Sequence, residues 1–392
     1  MLAENALRMT ARHPGVQYAA SAFVAFLFAA SGPVAIILSV GARGGLSESD
    51  INSWIFAAFS LNSVISLGFT LVYRQPLIFL WSIPGAVLVG SALAHLTFAE
   101  VIGAFLATGF LMLLLGLSGW VRRAMDAVPM PIVMAMVAGV FLRFGVDLIF
   151  AFRDAFWIAA PMTVAYLVFN RIPPLIAALL AGAVAVWVLG AFRPPAGALF
   201  AIASPNFYVP QFSWAAMVEL VVPLAITVLA VQNAQGIAIL AANGHAAPVN
   251  PITAACGAGS IVTGLFGAVS TCLTGPVNAI LSSSGERERH YVAAIFFCAF
   301  AVAFGVLAPF FTRVLLGTPP AFIATLAGLA MLKVLQTAFT TSFGGRFSFG
   351  ALVCFLVTVA DVAILRIGAP FWGLVFGLAA SWALERRPSQ RS

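Results

Sequence analysis

Long apolar runs, rather than alternation, organise this chain. They cover 16–40, 51–73, 77–96, 98–119, 127–149, 154–170 and 173–192, with short clusters of Gly, Pro and Arg between them. A polar, Pro-rich connector over 194–212 follows, and the pattern resumes over 213–241, 251–269, 270–284, 290–312, 319–342, 347–367 and 369–385. Runs of this length suit helices crossing a hydrocarbon layer about 30 Å thick, where the backbone must satisfy its own hydrogen bonds. A membrane β-barrel would alternate instead. The pattern predicts an all-α integral membrane protein with about fourteen transmembrane segments, seven in each half.

The halves resemble each other at their helix breakers, in the same order. Ser31–Leu38 (SGPVAIIL) matches Ala234–Leu240 (AQGIAIL), and Pro84 of WSIPGAV matches Pro276 of LTGPVNA. Met130–Gly139 matches Pro319–Gly328, and Ile172–Gly182 matches Gly368–Gly377. Four ordered matches argue for an internal repeat. With an odd number of spans per half, the second repeat enters the membrane from the opposite side, an arrangement common in secondary transporters. The expected units are 1–193, the connector 194–212, and 213–392.

The third and tenth spans cannot cross as plain helices. Pro84 opens a helix only after the aromatic stretch Leu77–Ile83, leaving about 13 residues or roughly 20 Å. In the tenth, Gly275-Pro276 leaves about nine residues. Two such half-helices would present their first N–H groups near the bilayer midplane, an anion cradle suited to a carboxylate. Ordinary proline kinks are the alternative, which the symmetric placement of Pro84 and Pro276 disfavours. The first and eighth spans are interrupted at matching depth, by Ser31-Gly32-Pro33 and by the amide run Gln232-Asn233-Ala234-Gln235. The candidate substrate-binding residues are therefore Ser31, Gly32, Ser82, Ile83, Gly85, Gln232, Asn233, Gln235, Thr271, Thr274, Gly275 and Asn278.

Composition agrees and adds orientation. Of 392 residues, 62% are hydrophobic and 8% charged, more apolar side chain than a soluble core could hide. The net charge of +7 is scattered over the connections and forms no stripe, which argues against nucleic acid. With the N-terminus inside, Arg8, Arg12, Arg74, Arg122, Arg123, Arg171, Arg287, Arg289, Arg346, Arg386, Arg387 and Arg391 fall on the cytoplasmic side, and Arg43, Arg153, Arg193, Arg313 and Arg366 outside. Both termini are expected in the cytoplasm. The first run is too long for a signal-peptide core and reads as a retained span. Cys256, Cys272, Cys298 and Cys354 lack metal-type spacing, so neither a disulfide framework nor a metal or other cofactor is expected. No HExxH or Asp-rich catalytic pair is present, so an enzyme is not indicated.

Ionisable residues within the spans are few. Asp361 reads as lying deep in its span and is the first candidate for proton coupling, with Glu219 a weaker, interfacial one. Lys333 is expected to extend toward the cytoplasmic interface without pairing with Asp361. Arg143 and Asp147, at i and i+4, are expected to pair. His245 and His290 are expected to be solvated, and His95 to lie outside the pocket.

Pro223–Pro251 and the closing Ile367–Gly377 resemble the benzoate:proton symporter family of the BenE type. The block Gln232, Asn233, Gly236, Ile237, Ala238 is the most specific part of that resemblance. The resemblance implies the seven-plus-seven fold shared with uracil permeases and sulfate-type carriers. In it a core domain, here 16–119 plus 213–313, moves against a gate domain, here 120–193 plus 318–386. Two positions depart from the pattern. Val269 and Cys272 stand where relatives carry His and Asn, and Gln232 stands near where uracil permeases carry an acidic proton carrier.

The implied function is import of a small aromatic carboxylate with protons by alternating access, in a prokaryotic inner membrane, with a homodimer possible. Another small anion or a nucleobase, or a passive anion channel, remains the alternative.

Overall fold

The computed structural model describes residues 14–385, apart from 122, 124–128, 170–173, 194–199, 284, 363 and 365–366. Arg8, Arg12, Arg122, Arg171, Arg366, Arg386, Arg387 and Arg391, on which part of the orientation argument rests, lie outside the described residues.

The first span is split at Ser31 into α1 (Pro14–Ala30) and α2 (Gly32–Arg43). Then come α3 (Glu48–Tyr73), the strand β1 (Phe79–Trp81), α4 (Ile83–Ala92) and α5 (Phe98–Ser118). Helices α6 (Met130–Asp154), α7 (Phe156–Val168) and α8 (Pro174–Val188) complete the first half. The second half holds α9 (Trp214–Ala242), α10 (Val249–Gly264), the strand β2 (Thr271–Leu273) and α11 (Gly275–Leu281). It continues with α12 (His290–Val306), α13 (Ala308–Leu316), α14 (Pro320–Phe343), α15 (Ser348–Ala360) and α16 (Ala369–Leu384).

Among the described residues, seven helices are long and apolar enough to cross a membrane. Ser47 and Asp50 form a reciprocal capping box at α3, as Thr97 and Glu100 do at α5. Three expectations shift. The amide run does not break α9, which passes through it as a π-helical stretch, Thr227–Asn233. The tenth-span helix is only seven residues long. The thirteenth ends at Ala360 rather than 367, because Asp361 adopts a left-handed conformation (φ 51°).

The helices pack as two groups. In one, α5 lies along α10 and α1 along α12; in the other, α6 lies along α14 and α15, with α7 against α8 and α15 against α16. Close approach within the first group depends on small residues. A Cβ at Gly109 of α5 would stand 2.8 Å from the carbonyl oxygen of Gly257 on α10, the kind of contact that drives helix association in lipid. Between the groups α2 meets α14, where a Cβ at Gly32 would stand 2.5 Å from that of Ala330.

Candidate functional site

Between the groups, β1 and β2 meet. They pair antiparallel, Phe79 opposite Leu273, Leu80 opposite Cys272 and Trp81 opposite Thr271. An open two-stranded ribbon leaves backbone groups unpaired on its outer edges, which the interior of a membrane protein does not tolerate. Side chains of neighbouring helices fill those edges. Asn233 Oδ1 accepts from the Leu273 N–H at 2.8 Å, and Asn278 Oδ1 from the Ile78 N–H at 3.1 Å. Ser66 Oγ accepts from Phe79 at 2.8 Å and Ser260 Oγ from Thr271 at 2.9 Å. The Thr271 hydroxyl donates to Asn62 Oδ1 at 2.8 Å. Asn233, Asn278 and Thr271, three of the candidate substrate-binding residues, brace the ribbon, and none of them is among the residues lining the cavity.

The ribbon forms one wall of a cavity of about 730 Å³, within the range for small-molecule sites. Of the expected residues, Ile83, Gln232, Gln235 and Thr274 line it. Ser31, Gly32, Ser82, Gly85 and Gly275 lie behind this surface. Ser31 is buried and donates to the Phe28 carbonyl. Ser82 caps α4, its Oγ accepting from Gly85 N at 3.1 Å, so much of the α4 opening is satisfied internally. Thr274 makes no such cap for α11. Gln235 rests on Gly275, where a Cβ would stand 2.8 Å from its amide carbon.

Most of the cavity surface is apolar, including Phe28, Leu80, Met134, Phe141 and Val277. Two further lining residues matter chemically. Trp81 is 3% exposed, and its indole N–H has no hydrogen-bond partner among the described residues, which costs about 1–3 kcal/mol while it stays unmet. Lys333 of α14 also lines the cavity, the one charged residue that does so among the described residues. Its side chain is exposed on α14, and the place of Trp81 just before Pro84 is a signal that the sequence offers.

The cavity reaches toward the ends of α6, α8 and α14 marked by Met130, Pro174 and Thr341. At the opposite ends the two groups are joined. Arg43 of α2 forms an ion pair with Asp147 of α6 and lies over the Phe144 ring, 5.7 Å from its centroid. Asp147 therefore pairs with Arg43, and Arg143, its expected partner, is exposed. Glu219, near the start of α9, is buried and sits in a π-helical turn, Met217–Val221. One carboxylate oxygen lies 2.8 Å from His95 Nε2, and the other abuts Gly368, where any Cβ would collide with it. Asp361, by contrast, is exposed at the end of α15 and away from the cavity.

His245 and His290, expected in water, are buried against each other with Nε2 and Nδ1 3.0 Å apart. The loop after α9 folds back, Arg287 donating to the Gly244 carbonyl at 3.2 Å. Burial, and then the facing His290, push the His245 imidazole below its ordinary value.

Two solved transporters share this fold. The transmembrane domain of the cyanobacterial bicarbonate transporter BicA matches 91% of this chain and 97% of its own with a TM-score of 0.60 at 14% identity. Murine Slc26a9, an anion transporter in the inward-facing state, matches 93% of this chain and 68% of its own with a TM-score of 0.61 at 13% identity. Among relatives in sequence, inner membrane protein YdcO of Escherichia coli K12 is 31% identical over 362 residues, 91% of this chain and 92% of that protein. The benzoate membrane transport protein of Acinetobacter baylyi ADP1 is 28% identical over 371 residues, 92% of this chain and 93% of that one. The benzoate membrane transport protein model matches residues 14–383, so this multi-pass membrane protein belongs to the benzoate membrane transport family, a family of transporters and not of enzymes.

Proposed function

We propose that the protein imports benzoate or a close aromatic carboxylate together with a proton, by alternating access across an inner membrane with both termini in the cytoplasm. The observation that carries the reading is the cavity, an apolar and aromatic chamber with few polar groups, set beside two short helices on the seam between two helix groups. The helix groups act as core (16–119 plus 213–313) and gate (120–193 plus 318–386), each drawing on both halves of an inverted repeat, 1–193 and 213–392. On this reading the cavity opens inward, and the outer ends are joined through Arg43–Asp147 and Glu219–Gly368. A homodimer is compatible with this arrangement.

Energetics favour a proton. Moving one negative charge into a cell with a negative interior costs about 2.3 kcal/mol per 100 mV, which one accompanying proton cancels. Glu219 is the better carrier than Asp361, because it is buried where α9 meets Gly368 and is bonded to an imidazole, whereas Asp361 is exposed away from the cavity.

The test is uptake of labelled benzoate into proteoliposomes with and without an inward proton gradient. Gradient-driven accumulation supports the symporter. The Glu219→Gln variant should keep benzoate exchange yet lose the response to the gradient. A passive channel would equilibrate benzoate without concentrating it, and uptake of bicarbonate or uracil in place of benzoate would move the substrate elsewhere on the same fold.

A further inference from the structure

The stretch from Phe200 to Trp214 crosses one end of the first helix group as a strap. Its backbone fastens it. The Ala203 N–H donates to the Val306 carbonyl at the end of α12 at 2.8 Å, and that of Asn206 to Ser53 Oγ of α3 at 3.0 Å. The N–H of Tyr208 donates to the Leu265 carbonyl just past α10, and that of Gln211 to the Ala99 carbonyl of α5, both at 2.9 Å. The Gln211 carbonyl rests on Gly103 of α5, where any Cβ would collide with it. One side of the strap is polar and turns inward, the Asn206 amide donating to Ser49 Oγ and the Tyr208 hydroxyl to the Asp50 carboxylate. The other side is apolar. Phe200, Ile202, Phe207, Val209, Phe212 and Trp214 are each between 65% and 80% exposed, and no Lys, Arg, Asp or Glu stands between Arg193 and Glu219.

In water such a row would be an exposed apolar patch in want of a partner. We propose that the partner is lipid: the strap lies in the membrane interface, its apolar side chains set into the boundary between headgroups and acyl chains. Three observations select lipid over a second protein. The row continues onto the apolar outer faces of helices below it. On α12 the exposed residues Phe296, Ala299 and Ala303 lead up to Val306, and on α10 Ala258 and Val262 lead to Leu265 and Phe266, whose ring lies 5.9 Å from that of Phe207. The depth also fits. Charged groups mark where hydrocarbon must end, and Glu48, paired with Arg313 at 2.7 Å, stands beside the Asp50 that holds Tyr208. Finally, the row is strung across the ends of four helices, whereas protein interfaces gather their anchors near one centre. Its aromatic content is that of an interfacial belt.

The experiment places a fluorophore on the strap. Val209→Cys and, independently, Ile202→Cys are labelled with a small thiol-reactive dye, the native cysteines being buried. Each is reconstituted in phosphatidylcholine vesicles brominated either high on the acyl chains or near their methyl ends. Ala299→Cys, exposed midway along α12, calibrates the deep position. Emission from both strap labels should fall several-fold more with the high bromines than with the deep ones, and iodide in the buffer should quench them little. Strong quenching by iodide and none by either lipid would put the strap in water and overturn the proposal. Quenching by neither iodide nor lipid would mean that protein covers the row, with a second copy of this chain the first candidate for cross-linking, and would overturn it as well. Strap labels quenched best by the deep bromines would overturn the interfacial placement.

Discussion

His245 and His290 show how far a residue's surroundings can depart from its place in the sequence. A histidine in a short connection between spans reads as solvated, yet here two of them close a buried contact because the chain folds back over Arg287. The charged and titratable groups facing His245 are His290, Arg287 and Glu288. Its folded-state value lies below the unfolded one, near 6.5, so folding favours the neutral ring. No penalty exists well above that value, and stability falls as pH drops through it, since the unfolded chain then binds more protons. The thermal midpoint in detergent should therefore decline between about pH 7.5 and about pH 5.5, and decline less in His245→Gln. An equally steep decline in the variant would place the sensitivity elsewhere. Lys333 carries the same lesson with the opposite sign, since its presence within a span was legible and its direction was not. Direction depends on how α14 rotates against α6, which periodicity leaves open when most faces of a helix are apolar.

Among elements, the short helices were readable and the ribbon joining them was not. Pro84 and Gly275-Pro276 disfavour a helix before them, and their symmetric placement marks the openings of α4 and α11, whereas Pro161 and Pro223 sit inside α7 and α9. Pairing of β1 with β2 is a contact between distant segments of only three residues each, too short for any period to register. The amide run divides for a related reason. Its polarity points to the pocket, yet Asn233 gives its oxygen to the backbone of Leu273, and of its three amides Gln232 and Gln235 line the cavity. Asn233→Ala and Asn278→Ala should each cost about 1–3 kcal/mol by stranding a buried strand N–H. That cost should appear as a lower thermal midpoint in the absence of substrate. A variant that loses benzoate binding at full stability would return that asparagine to the binding surface.

At the scale of the whole molecule, the ends of the seam behave differently. One holds the main cavity, and the other is fastened by Arg43–Asp147 beside a second cavity of about 700 Å³ that Ser39 also lines. Removing the ion pair should favour the outward-open form. The native cysteines are all buried, so a Ser39→Cys reporter can be read in intact cells with a membrane-impermeant thiol reagent. Adding Asp147→Asn should speed its labelling several-fold, and an unchanged rate would mean that the pair does not hold the outer side shut. The ribbon also bears on how the protein is made. Ile78 waits for Asn278, 200 residues further along the chain, and at a translation rate of about 5–20 residues per second that interval lasts on the order of tens of seconds. Throughout it the nascent first half sits in the membrane with an unfinished strand, a period in which the insertion machinery or a chaperone must shield the exposed edge.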